Sequence, residues 1–214
     1  MRTTLCVLAL ASIALADRKP SPACDSEVIS LNPSCWDVSG VKPPSLQTSS
    51  PGFQFTFPTG KNHIGYLTTS YTLPLTAQLS MTVQAQPLTG APTYNYFFAT
   101  DPGNTCNYPA HVRLFVQKIN DTSEFNRWWS QDPGSYQLSS GGLITVTVPI
   151  IPSAWSSVYG KRGDLDAATT AEFWSAMDAP VLVGMTFGGG CFFGHGVSVL
   201  NGTASFTVLG FEAH

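Results

Sequence analysis

The residues of this 214-residue chain best suited to chemistry fall on one short stretch. Between His111 and Gln117, Val112, Leu114 and Val116 alternate with His111, Arg113, Phe115 and Gln117. On an extended strand the first set faces a core and the second set faces away from it. That second face carries an imidazole, a guanidinium and an amide around one aromatic ring, groups that hydrogen-bond sugar hydroxyls. An ordinary solvated face has the same alternation. A second cluster, Arg127-Trp128-Trp129, follows, with Asp132 just beyond it. Adjacent residues of a strand point to opposite sides, so one indole fills the core while the other stays available as a flat platform for a pyranose. Arg127 and Trp129 share parity. Trp129 is therefore the expected platform, with Arg127 and Asp132 at its rim, and Trp128 the alternative if the segment is a loop. Burial of both rings is the competing reading. The last candidate contact is His195, which leaves a glycine-rich turn between two other glycines, although a lone histidine is as readily structural.

Other chemistries find less support. Glycoside hydrolysis needs two carboxylates across a cleft, and Asp101, Asp132 and Asp164 fall at separate turns, with Glu124, Glu172 and Glu212 elsewhere. A Gly-x-Ser-x-Gly elbow is missing. The run Gly188-Gly189-Gly190 is followed by neither Lys-Ser nor Lys-Thr, so a tight turn is a better use for it than a phosphate cradle. Arg162-Gly163-Asp164 matches an adhesion tripeptide, a match short enough to arise by chance. No Cys-x-x-Cys or His-x-x-x-His spacing suggests zinc, so no metal or cofactor is expected.

These side chains must be held by strands. Phe53, Phe55 and Phe57 alternate with Gln54 and Thr56, and Leu79, Met81 and Val83 repeat the pattern. The same rhythm returns over 94–100, 112–117, 144–148, 181–187, 197–199 and 204–208, separated by turns such as Asp101-Pro102-Gly103-Asn104 and Asp132-Pro133-Gly134. Many short strands with such punctuation predict an all-β antiparallel sandwich of jelly-roll type. One short helix is expected near Asp166 to Met177, with Asp164 or Asp166 as its cap.

The chain opens with Met1-Arg2 and an apolar run from Leu5 to Leu15 that ends in Ala14-Leu15-Ala16, the pattern of a secretory signal peptide over residues 1–16. The mature chain is then read as extracellular, with a disulfide-tied arm over 17–52 and a sandwich domain over 53–214. Only 11% of residues are charged, and losing Arg2 leaves nine basic against 13 acidic residues. No basic run suits nucleic acid, and no later segment suits a membrane. A monomer is expected. Cys6 leaves with the leader, so Cys24, Cys35, Cys106 and Cys191 remain in an oxidising compartment. Three pairings are open to them; Cys24 with Cys35 is favoured as a local staple, which leaves Cys106 with Cys191. Asn120 and Asn201 head glycosylation sequons in turn-like sequence.

The Phe53 to Phe57 strand, the polar strand His111 to Gln117, the Arg127-Trp128-Trp129 cluster and the terminal strand from Ala204 to Phe211 together resemble a galactose-binding-like or jelly-roll carbohydrate-binding module. The resemblance is architectural and covers residues from about 53 onward. It implies a non-catalytic sandwich that binds glycan through aromatic and polar side chains, sometimes with a structural calcium, although this chain lacks an Asp-rich calcium loop. A lectin-like module for extracellular or cell-wall polysaccharide is the leading expectation. The alternatives are a secreted structural or protein-interaction protein with no glycan site, and an unrecognised glycoside hydrolase.

Overall fold

Alternation of large apolar and small polar residues is the rule that builds this molecule, and each alternating run buries its apolar side. The structure, a computed structural model, describes Cys24 and residues 29–96, 109–118, 123–189, 192–193 and 196–214. In chain order the strands are β1 (Asp37–Val41), β2 (Gln47–Thr48), β3 (Phe53–Thr56), β4 (His63–Ser70), β5 (Gln78–Tyr96), β6 (Ala110–Lys118) and β7 (Arg127–Ser130). Then come β8 (Ser135–Gln137), β9 (Gly142–Pro149), β10 (Trp155–Ser157), the helix α1 (Ala167–Asp178), β11 (Pro180–Gly189), β12 (Phe192–Phe193) and β13 (Val197–Ala213). The result is an all-β antiparallel sandwich with one short helix.

One layer runs β1-β4-β11-β6-β7-β10, with β8 beside β6 and β12 beside β11; the other runs β9-β5-β13-β3-β2. Among the described residues, the bridge of Ile64 to Val197 joins them. Phe55 and Phe206 from the second layer close on Phe187 from the first, with ring centroids 6.0 and 5.3 Å away. Leu114, Val116, Val183 and Met185 meet Met81, Val83 and Val208 in the same core.

The stretch read as an arm contributes to both layers, since β1 pairs with β4 and β2 with β3. Cys24 and Cys35 form a disulfide. Next to it, Trp36 is buried against Phe53 and Phe211, 5.3 and 5.2 Å between centroids, and donates from Nε1 to the Ser30 carbonyl at 2.8 Å. The Thr69 hydroxyl donates to the Cys35 carbonyl at 2.8 Å, which fixes the stapled segment to β4. Cys106, Cys191, Asn120 and His195 lie outside the described residues, as does the leader.

Two expectations are corrected. The sequence suggests that Pro87 and Gly90 end one strand, yet β5 continues through both to Tyr96. It can do so because β13 shifts register opposite them, between Thr203 and Ala204 and between Leu200 and Gly202. Bulges absorb a proline that cannot donate and a glycine with φ of 65°. The second correction is β4, which the sequence does not announce because Gly65 and a Thr-Thr-Ser run interrupt its alternation.

The helix begins at the Asp166 cap, whose carboxylate accepts from the Thr169 amide at 2.7 Å. It buries Thr169, Phe173, Ala176 and Met177, a helical spacing that places Phe173 edge-on to Trp128. Lys118 donates to the Ser175 hydroxyl at 2.6 Å and ties the helix to the end of β6.

Tyr136 connects the layers by hydrogen bonding. Its hydroxyl accepts from the Ala85 amide and donates to the Gly142 carbonyl, each at 3.1 Å. Tyr136→Phe should lower unfolding free energy by about 1–3 kcal/mol, because a buried amide loses its partner; chemical denaturation measures it. Burial also pushes the Tyr94 phenol up to about 12, and the neighbouring Tyr136 adds to the rise. A phenol held neutral in the fold stabilises it until the unfolded chain begins to ionise near pH 10, and that contribution disappears as pH climbs through about 12. The denaturation midpoint should therefore fall across that alkaline window, and Tyr94→Phe should flatten the fall.

Candidate functional site

Because Phe187 and Met185 face the core, Thr186 and the glycines at 184 and 188 must face outward on β11, and β6 obeys the same parity. His111, Arg113, Phe115 and Gln117 thus share the outer face of the first layer, as the sequence predicts. Register arranges that face in rows. Ser135, Arg113, Thr186, Tyr66 and Ser39 stand side by side across five strands. The next row holds Ser156, Trp129, Phe115, Gly184, Thr68 and Asp37. Arg127, Gln117, Leu182 and Ser70 form the row beyond it.

Of the sequence candidates, His111, Arg113, Gln117, Arg127 and Trp129 share this face, Asp132 reaches it through Arg113, and His195 lies outside the described residues. Trp128 lies on the core side, fully buried, with Nε1 donating to the Phe125 carbonyl at 2.7 Å. Trp129 is on the outer face, yet it is only 5% exposed, so the expected open platform is not there. Its Nε1 donates to the Ser157 carbonyl at 2.9 Å, which draws the indole toward β10 instead of letting it stand out from the sheet. Phe115 is likewise 1% exposed and meets Tyr66 at 5.0 Å between centroids. Those rings form an apolar floor, and the polar groups form what lies above it.

Among those polar groups, Arg113 donates from Nη2 to Asp132 at 3.2 Å, and Asp132 also accepts from the Ser135 hydroxyl. The Arg113 side chain is 12% exposed and that of Asp132 is 53% exposed, so the pair spans from the floor to the solvent. His111 Nδ1 is 2.8 Å from the Pro109 carbonyl, an acceptor only, which places the proton on Nδ1 and leaves Nε2 for another partner. Gln117 and Arg127 are half-buried and face each other across β6 and β7. Gln131 reaches the Ser156 hydroxyl at the β10 side of the same face.

The residue that sequence reasoning missed is Thr186. It is fully buried, and its hydroxyl has no hydrogen-bond partner among the described residues. A buried hydroxyl left unpaired costs about 1–3 kcal/mol, so its place between Arg113 and Tyr66 is not explained by stability. The signal was available in the alternation with Met185 and Phe187, but the following glycines make the segment read as the start of a turn. Tyr66 was missed with β4 as a whole.

The Arg162-Gly163-Asp164 tripeptide closes on itself. Arg162 donates from Nε and Nη2 to the two Asp164 oxygens at 3.0 and 2.7 Å, so its two charged ends are occupied with each other. Asn201 is exposed, with φ of 59°, on the bulged turn of β13.

No family model and no curated protein matches the chain. Among solved structures it is similar to a xylan-binding module, CBM15, at 16% identity and a TM-score of 0.41, covering 85% of this chain and 94% of that one. It is also similar to Xylanase10C from Cellvibrio japonicus in complex with xylopentaose, at 15% identity and a TM-score of 0.38, over 85% of this chain and 28% of that one. A Cel12A cellulase derived from that of Rhodothermus marinus shares 12% identity at a TM-score of 0.31, over 83% and 92% of the two chains. Likenesses this distant carry neither a fold family nor an activity across to this chain.

Proposed function

We propose that the chain is a secreted, non-catalytic carbohydrate-binding module whose ligand lies over β6 and β11 on the outer face of the first layer. The observation that carries this reading is the Thr186 hydroxyl, buried between Arg113 and Tyr66 without a partner among the described residues. A sugar hydroxyl both donates and accepts, and so does a threonine hydroxyl. A ligand hydroxyl, or a water bridging to one, would satisfy Thr186 by entering between the two larger side chains. Around that point His111, Arg113, Gln117 and Arg127 supply donors, and Asp132 supplies an acceptor that also holds Arg113 in place.

With Trp129 and Phe115 in the floor, recognition rests on hydrogen bonds more than on stacking against an open indole. Such a face suits a hydroxyl-dense polysaccharide. The non-catalytic part of the reading is supported by the spacing of the two described acids placed at this face, Asp132 and Asp37. Asp132 adjoins Arg113 of β6, whereas Asp37 is on β1, three strand spacings away. At about 4.8 Å per spacing that separation is roughly 14 Å, beyond the 5–10 Å that paired glycosidase carboxylates span. Secretion is supported by the leader-like start and by the exposed sequon at Asn201.

Thr186→Val keeps the shape and removes the hydroxyl, so the two roles open to Thr186 predict opposite results. Glycan-array and polysaccharide-retention assays on the secreted protein should show affinity falling about tenfold, equivalent to roughly 1.4 kcal/mol. Without ligand the variant should be more stable than wild type by about 1 kcal/mol, since an unpaired polar group has gone. Unchanged glycan affinity would remove Thr186 from the site, and failure of the wild type to bind any glycan would favour the protein-interaction alternative.

A further inference from the structure

An open sheet edge presents unpaired backbone donors and acceptors to any other strand, and proteins blunt such edges with charge, proline, bulges or shortness. The edges at β10, β1 and β2 are blunted, and β8 and β12 are only three and two residues long. Beside β10, the chain folds back so that Ser157 donates to the Lys161 carbonyl at 2.8 Å and Gly163 to the Trp155 carbonyl at 2.9 Å. The outermost residues on that side are Lys161, which pairs with Glu124, and Arg162, which pairs with Asp164. The β1 edge starts at Asp37, is bulged between Ser39 and Gly40, and runs into Lys42-Pro43-Pro44. The β2 edge is two residues long. Even the exposed reach of β5 beyond β9 carries Pro87 and Pro92.

The β9 edge has none of these devices along its length. Gly142 to Pro149 pairs with β5 in unbroken register, from Ala85 to Gln78, without a bulge. The strand reads Gly-Leu-Ile-Thr-Val-Thr-Val-Pro, with no charge and with proline only at its last position. Its two ends are held by side chains, the Tyr136 hydroxyl on the Gly142 carbonyl and Trp155 Nε1 on the Pro149 carbonyl. Between them, every second residue turns its backbone groups away from β5, and among the described residues nothing receives them. Leu143 is 61% exposed and Ile144 40%, with Ile151 at 47% just past the strand. Charged residues are scarce in this chain, yet they are placed at two of the other edges and left out of this one.

We propose that β9 pairs antiparallel with β9 of a second copy of this chain about a two-fold axis, so that the second layers of two sandwiches become one continuous sheet. The strand is self-complementary in the way such an interface requires, because each residue meets a residue of the same strand and no charge is present to repel its image. Thr145 already bonds Thr82 across the outer face at 2.9 Å, so pairing extends an existing threonine ladder with further Thr–Thr neighbours. Leu143 and Ile144 become covered at the same time. A foreign peptide strand of charged sequence would find no matching charge on β9 itself. The dimer takes the place of the monomer suggested by sequence, and it leaves the outer face of the first layer free.

The test is sedimentation of the full secreted chain over a wide concentration range, for wild type, Leu143→Lys and Thr145→Lys. Wild type should pass from one-copy to two-copy mass as concentration rises. Either lysine should raise the dissociation constant at least about tenfold while leaving the melting temperature near that of wild type, since both side chains are exposed. Hydrogen exchange on wild type provides a reading that does not depend on the variants folding: within residues 143–148, the alternate amides turned away from β5 should gain protection at high concentration. A wild type that keeps one-copy mass throughout, or a dimer that both lysines leave intact, overturns the proposal, as does exchange in 143–148 that ignores concentration.

Discussion

The position of Phe187 between Phe55 and Phe206 is the contact on which the rest of the molecule depends. Those three rings belong to β11, β3 and β13, so their packing presses the middle of one layer onto the middle of the other. A strand has only two faces. Once Phe187, Met185 and Val183 are inside, Gly184, Thr186 and Gly188 are outside, and pairing with β6 and β4 then decides which side chains flank them. The core thus fixes which residues stand on the outer face. This is why a buried hydroxyl with no partner among the described residues is tolerated at Thr186: the apolar contacts of the core below it outweigh a cost of about 1–3 kcal/mol.

The glycines on β11 have a geometric task within this arrangement. A Cβ at Gly184 would lie 2.1 Å from the Leu67 carbonyl oxygen, so any side chain there would force β4 and β11 apart. Their close approach lets Tyr66 and Phe115 meet over the strand between them and roof it with aromatic surface. The same closeness sinks Thr186. Floor, rings and polar rim are consequences of one tight central strand.

The charged residues follow a second logic. They are few, and several of those described bond one another: Arg162 with Asp164 and Lys161 with Glu124 beside the β10 edge, and Arg113 of β6 with Asp132. Charge beside β10 and β1 helps to keep those edges solvated, while the outer face of the first layer combines the Arg113 and Arg127 guanidinium groups with neutral hydroxyls and amides. The open β9 edge and the polar outer face of the first layer lie on different layers, so a partner at one does not obstruct the other.

How far the sequence alone determined this protein depends on the range of the physics involved. Period-two alternation is local, so the class of fold, the inward set Val112, Leu114 and Val116, the helix behind Asp166 and the outward set His111, Arg113 and Gln117 could all be read from neighbouring residues. A staple between Cys24 and Cys35 was legible for the same reason. Exposure is not local. Parity correctly set Trp128 and Trp129 on opposite faces, but whether Trp129 stands in solvent was decided by β10, which is distant in sequence and offers the Ser157 carbonyl to its indole nitrogen. The continuity of β5 through Pro87 likewise depended on a register shift in β13 that no window around Pro87 contains. Thr186 becomes a candidate only when β6 and β4 are laid on either side of it, and β9 becomes an open edge only when every other strand has found its neighbours. Those properties belong to pairing across long stretches of chain, which is what the tertiary structure supplies and a single sequence does not.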